Sequence, residues 1–265
     1  MRSTAAGSVA VLIDSHIHLD AAEFDADRAA VLAAARAAGV GGFIVPAVEV
    51  ANFDAVAALS TAHADVRHAY GIHPLYVARV RDGDLDLLDQ RLAGGDALAV
   101  GEIGLDHFVT DVDRALQEEI FVAQLKLARK HGLPVILHVR RAVDAVLKQL
   151  RRIEVAGGIA HAFNGSRQQA DMLLAMGFRL GFGGSMTFSG STRIRALAAT
   201  LPLEVIVLET DAPDIAPAWG QGQRNEPANL ARYARLLAEL RGVDVDEVAA
   251  VTTANVRAVL NWPAS

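Results

Sequence analysis

His16 and His18, one residue apart and preceded by Asp14, come after a short apolar run from Val9 to Ile13. In an extended chain residues i and i+2 share a face, so the two imidazoles project side by side with Asp14 behind them. Such a pair suits a divalent cation of the zinc type, or two histidines satisfied by local hydrogen bonds. Four more donors farther along the chain give the pair its meaning. Glu102, His138, His161 and Asp211 each close or succeed an apolar run. A lone histidine at such a place is ordinarily structural. Six hard or borderline donors at the ends of five apolar runs are far harder to reach by chance, and the second and seventh runs end in no such group.

Six protein donors exceed the roughly three of an open catalytic zinc site. They divide between two ions, with His16, His18 and Asp211 on one, His138 and His161 on the other, and Glu102 bridging. Two cations about 3.5–4 Å apart share a water and clamp both oxygens of a displacement. Set against Glu102, Asp211 and one hydroxide, two divalent ions leave about one net positive charge. That balance favours a phosphate, although such centres also hydrolyse amides and esters. The expected chemistry is in-line attack of a metal-bound hydroxide on phosphorus, with Asp211 orienting the water and taking its proton. Four histidines favour zinc or manganese, whereas nucleases often run on magnesium.

Further residues could serve such a centre. His73, in Gly71-Ile72-His73-Pro74, is not needed as a ligand. It could contact a phosphate, protonate the leaving oxygen, or simply be bonded within its turn. Arg140 and Arg224 are the best phosphate holders, because a planar guanidinium grips two oxygens. Arg141 is expected at the start of a helix and solvated. Asn164 and Asn225 could donate to phosphate or shape loops. Asp14 and Glu209 could each accept the spare proton of an imidazole in a ligand shell, or belong to a polar cluster in a barrel interior. Asp106 could cap a loop or support a ligand.

These residues need a scaffold, and the chain supplies one. Eight mostly continuous apolar runs (11–17, 42–48, 66–72, 97–102, 134–139, 158–162, 179–182 and 205–208) read as parallel strands buried on both faces. Amphipathic segments lie between them, as at 28–38, 115–131, 141–151, 168–176 and 193–200, and two more come last, at 228–240 and 245–260. Gly39, Gly132 and Gly177 stand where helices should stop. Eight β/α units in 265 residues predict a TIM-like (β/α)8 barrel of the α/β class. The expected layout is a single domain over 1–265, with residues 1–10 as an N-terminal extension. On that fold all six donors fall at C-terminal strand ends, the face where barrels carry chemistry.

Composition narrows the classes. Hydrophobic residues make up 52% of the chain, which argues against disorder. With 25 basic and 31 acidic residues the net charge is −6, so no global basic footprint for coating nucleic acid exists and an anionic substrate must be held locally. The absence of cysteine excludes thiolate ligands and a cysteine nucleophile. The N-terminal apolar run is short for a signal peptide and no run is long enough to span a bilayer, so a cytoplasmic protein is expected. Gly39-Val40-Gly41-Gly42 lacks the dinucleotide fingerprint, and Gly183-Gly184-Ser185-Met186-Thr187 misses the nucleophile elbow by its last residue.

The segments Asp14-Ser15-His16-Ile17-His18-Leu19-Asp20, Gly71-Ile72-His73-Pro74, Gly101-Glu102-Ile103-Gly104-Leu105-Asp106, Leu137-His138-Val139-Arg140, His161-Ala162-Phe163-Asn164-Gly165-Ser166, Glu209-Thr210-Asp211-Ala212-Pro213 and Arg224-Asn225-Glu226-Pro227 run in the order of one family. The sequence resembles the TatD family of metal-dependent hydrolases, within the amidohydrolase-like barrels. The resemblance implies a TIM-like barrel, a two-metal site on the six donors and the magnesium-dependent DNase activity of some members. Val139 departs from the serine usual after the strand-five histidine, and His107 from a common aromatic. No lysine stands at the fourth strand to be carbamylated; Glu102 holds that place.

The leading expectation is therefore a phosphodiesterase acting on DNA or a small phosphodiester, as a monomer or weak oligomer, with two zinc, magnesium or manganese ions. An amide or ester hydrolase, such as an aminoacyl-ester deacylase, would use the same centre on a carbonyl carbon. A metal-binding scaffold is the third reading, disfavoured by the full donor set.

Overall fold

The computed structural model describes residues 11–263, so the N-terminal extension expected over 1–10 lies outside the described residues. Its strands are β1 (Leu12–Asp14), β2 (Val40–Pro46), β3 (Val66–Ala69), β4 (Val100–Asp106), β5 (Val135–Arg140), β6 (Gly158–Ala160), β7 (Phe178–Phe182) and β8 (Ile206–Leu208). They alternate with α1 (Arg28–Ala37), α2 (Phe53–Ala62), α3 (Asp84–Ala93), α4 (Arg114–His131), α5 (Val143–Leu150), α6 (Arg167–Ala175), α7 (Thr192–Thr200) and α8 (Leu230–Arg241). A further helix, α9 (Val245–Val259), ends the fold. Among the described helices none is long and apolar enough to cross a membrane.

All neighbouring strands pair in parallel, in the orders β1-β2-β3 and β4-β5-β6-β7-β8. A few backbone hydrogen bonds join the two arcs at each seam. The Gly101 N–H donates to Tyr70 O (2.9 Å) and the Ser15 N–H to Leu208 O (3.0 Å), which closes the ring as an α/β barrel. Parallel strands with helices outside must be apolar on both faces, and the continuous runs of β2, β5 and β8 meet that demand. One apolar cluster takes Ile13, Ile44, Ala69, Ile136, Ile159 and Val207 from six strands and packs them against Val256, Leu260 and Trp262. Thr253 Oγ1 donates to Val11 O and Asn255 Nδ2 to Ile206 O, so α9 seals the end where strands begin. The opposite end is left for chemistry.

Most strand boundaries differ by a few residues from those expected of the apolar runs; β3 stops at Ala69 and β6 at Ala160, so His73 and His161 lie beyond their strands. β1 stops at Asp14, so His16 and His18 lie on the loop beyond it. β4 runs on to Asp106, placing Glu102 within the strand and not at its end. A register shift between Val100 and Ile103 separates Glu102 from the regular ladder with β5. Gly104, at φ 151 opposite His138, permits close approach of the two strands. A Cβ there would collide with the His138 carbonyl.

Candidate metal centre

Glu102 is buried at the centre of the barrel mouth, and its two oxygens face different groups. Oε1 lies 2.9 Å from His138 Nδ1 and 2.9 Å from His161 Nε2, with His73 Nε2 at 3.5 Å. Oε2 lies 3.1 Å from His16 Nε2 and 3.5 Å from His18 Nε2. Asp211 Oδ1 completes the second group, 3.4 Å from His16 and 3.6 Å from His18. Asp211 holds the left-handed conformation (φ 57), which aspartate tolerates better than most residues. Its N–H donates to His16 O at 2.8 Å, tying the two donor-bearing loops together. The donor atoms of His16, His18 and Asp211 lie within 4.8 Å of one another, as do those of His16, Glu102 and His161 and those of His73, Glu102 and His138.

The proton positions decide what these atoms want. His138 Nε2 faces Asp106 Oδ2 at 3.1 Å, so its N–H points away from the mouth. Its Nδ1 then turns a lone pair toward Glu102 Oε1 and His161 Nε2. His73 Nδ1 accepts the Leu75 N–H (3.1 Å), which places the His73 proton on Nε2, aimed into the mouth toward His138 Nδ1 at 3.0 Å. His16 and His18 bring Nε2 atoms to 3.3 Å. Lone pairs of nitrogen and carboxylate oxygen so crowded repel unless positive charge lies between them, and a divalent cation fits that donor set.

The electrostatics agree. Burial opposes ionisation of Glu102, yet His16, His161 and His73 hold it well below the usual carboxylate range. Burial depresses His161, and Glu102 and Asp211 more than reverse this. Burial pushes Asp211 up to about 6. Burial pulls His73 down to about 3, so it is a neutral Nε2–H donor near pH 7.

Supporting residues come from the ends of β4 and β1 and from the residue after β8. Asp106 Oδ1 accepts the Phe108 and Val109 N–H groups while Oδ2 meets His138, so it both caps a loop and orients a donor. Glu209 Oε1 accepts the Ala162 N–H (2.5 Å) and lies 3.7 Å from His161 Nδ1. A Cβ on Gly181 would overlap the Glu209 carboxylate, so glycine there makes room for it. For Asp14 the structure takes the second of the two expected roles, a polar cluster in the barrel interior. Its carboxylate accepts the Thr210 N–H and hydroxyl and the His16 backbone N–H, and no imidazole. Burial raises it to about 8.

A model of the family described as TatD related DNase matches residues 13–261. The chain belongs to the TatD family. Among its relatives is YjjV of Escherichia coli K12, an uncharacterised metal-dependent hydrolase (41% identical, covering 95% of this chain and 98% of that one). YabD of Bacillus subtilis, of the same description, is 31% identical over 93% of this chain and 98% of its own. The crystal structure of YjjV superposes with a TM-score of 0.93 at 39% identity, covering 97% of this chain and all of that chain.

The TatD-family mouth is a cavity of about 590 Å³ lined by His18, His73, Glu102, His138, His161 and Asp211, with Arg140 and Asn164 at its edge. Arg224 and Asn225, expected to hold phosphate, are not among its lining residues. The Arg224 guanidinium is taken by Asp27 (2.9 and 2.7 Å), Glu226 (2.9 Å) and Glu23 O. Asn225 is buried, donating to Thr210 O and accepting from Asn229 and the Glu226 N–H. Both residues staple the loop after β8, and neither faces the mouth. Leu75, Ser185, Asp214 and Ile215 also line the mouth, and sequence reasoning did not find them. They arrive on loops whose path is set only by packing.

Proposed function

We propose that this metal-dependent hydrolase is a phosphodiesterase acting on DNA or a small phosphodiester with two divalent ions, zinc, magnesium or manganese. His16, His18 and Asp211 would hold one, His138 and His161 the other, and Glu102 would bridge. The split of Glu102, Oε1 toward His138 and His161 and Oε2 toward His16 and His18, carries the reading. The TatD related DNase description of the family supports it, as does a mouse relative, TATDN3 (32% identical over 92% of this chain), whose name carries a provisional deoxyribonuclease assignment.

Two bound cations supply neutralisation of charge in the transition state and a more acidic water. The chain's own residues do the rest. Asp211, whose Oδ1 reaches the mouth beside His16 and His18, accepts the proton of the attacking water. The water oxygen joins phosphorus as the P–O bond to the leaving group breaks, and the departing oxygen carries off the electron pair and takes its proton from solvent. His73 donates a hydrogen bond from Nε2 to an oxygen of the phosphoryl group. A neutral imidazole cannot give up that proton at ordinary pH, so His73 stabilises charge and is not the general acid. Arg140 grips a non-bridging oxygen at the rim, and Asn164 borders the same edge.

The test is a substrate panel with purified protein and zinc, magnesium or manganese: bis-p-nitrophenyl phosphate, end-labelled DNA and an aminoacyl ester. Metal-dependent cleavage of the phosphodiesters is expected. Cleavage of the aminoacyl ester alone would overturn the reading.

A further inference from the structure

Beside the donor-lined mouth lies a second depression of about 670 Å³, and the two share Val139 and Asn164 in their walls. The second lobe is lined by His107, Arg141, Ser166, Gln169 and Arg193, together with Asp144. Its shape depends on the backbone of Arg141, which lies at a bend before α5 and not in the helix. In a continuing strand Arg140 and Arg141 would point to opposite faces. Instead Arg141 takes φ 54, a left-handed conformation unfavourable to a long side chain. The turn brings both guanidinium groups onto one ring. Their central carbons lie 3.8 and 4.7 Å from the centroid of Phe108.

That ring is 44% exposed, and its backbone N–H is pinned by Asp106. An aromatic floor orients a guanidinium without neutralising it, so its N–H donors stay available. Arg193, at the start of α7, reaches the lobe with Nη2 donating to Asn164 Oδ1 at 2.5 Å. Arg36, Arg91 and Arg224 are each paired with carboxylates, whereas among the described residues Arg140, Arg141 and Arg193 form no ion pair. The one carboxylate in the lobe, Asp144, accepts from Gln169 Nε2 (2.7 Å). Two oriented cations, Arg141 and Arg193, face one carboxylate in the lobe, and Arg140 lines the adjoining mouth; in a chain of net charge −6 they form a local anion-attracting patch beside the mouth.

We propose that this second lobe is a subsite for an additional phosphate of the substrate, gripped by Arg141 and Arg193 with Arg140 in the adjoining mouth. The preferred substrate then carries a second phosphate next to the scissile diester, either a terminal phosphate or the next link of a strand. This rests on the phosphodiesterase reading and adds to it a preference between substrates.

Four thymidine substrates separate the outcomes: the dinucleotide without terminal phosphate, the same with a 5′-phosphate, the same with a 3′-phosphate, and the trinucleotide. The metal-loaded enzyme should favour at least one two-phosphate substrate by about tenfold or more in kcat/KM, mainly through KM. A gain with the 5′- or 3′-phosphorylated dinucleotide assigns the subsite to a terminal phosphate on that side, and a gain with the trinucleotide alone to an internal link. R141Q/R193Q should abolish the preference while leaving turnover of the unphosphorylated dinucleotide unchanged. Equal use of all four substrates, or a preference retained in the double variant, would overturn the proposal. Equilibrium binding of the same compounds in excess EDTA reads the subsite without turnover. If no diester is cleaved, the function reading fails, and the binding difference with its loss in the double variant still decides the subsite.

Discussion

Asp106 reaches His138 Nε2 with one oxygen at 3.1 Å and the Phe108 N–H with the other at 2.8 Å. One buried carboxylate therefore fixes both the direction in which a donor imidazole presents its lone pair and the loop that floors the adjacent basic lobe. The arrangement sets the proton order along a chain, from the Leu75 N–H through His73 and His138 to Asp106.

Replacing Asp106 with Asn should damage the centre out of proportion to the change in size. Either the amide nitrogen faces His138 Nε2 and forces the imidazole proton onto Nδ1, or it faces the Phe108 and Val109 N–H groups and loses both. A fall in metal affinity of about 10- to 100-fold is expected for such an orienting group. Competition with a chelating dye measures it, and unchanged affinity would refute the role.

His73→Ala should lower kcat by about 100-fold while metal stoichiometry stays as in the wild type, because its proton-bearing Nε2 is a donor and not a ligand. Since burial pulls His73 down to about 3, no limb from its titration should appear in the rate profile across the neutral range. Loss of one metal equivalent by plasma emission spectrometry would show that His73 ligates instead.

Metal binding should release protons. Burial alone would depress His18, yet Glu102 and Asp211 hold it up at about 9, so near neutral pH it carries a proton that a cation must displace. Affinity then rises with pH, by about tenfold per unit for each proton displaced. Calorimetry in two buffers of different ionisation enthalpy gives the proton count, and a count of zero at neutral pH contradicts this electrostatic picture.

Arg224→Ala should lower the melting temperature, through loss of Asp27 and Glu226, without raising KM for a phosphodiester. A large KM increase with unchanged stability would restore the phosphate-holding role that its position in the sequence suggested.

Gly104→Ala is expected to cost about 3 kcal/mol or more, combining a left-handed φ with collision against the His138 carbonyl. The midpoint of urea unfolding reports it. A near-neutral result would mean that β4 can shift away from β5 without harm.

The donor types, their order and the barrel were legible in the sequence because they are local properties: apolar runs of period-free burial, glycine stops and a candidate donor at the end of five of the eight runs. Arg224 shows where such reading fails. Its chemistry suits phosphate, but Asp27, 197 residues earlier, already occupies it. Arg141 shows the reverse, since nothing in its neighbours announces a left-handed φ that turns it toward Phe108. Glu102 is a third case. Its identity was plain, yet only the closed ring sets one oxygen toward His138 and the other toward His16. Residue type and spacing fix what a side chain can do. Which partner reaches it first depends on distances between segments far apart in the chain, and only packing of the whole barrel sets those.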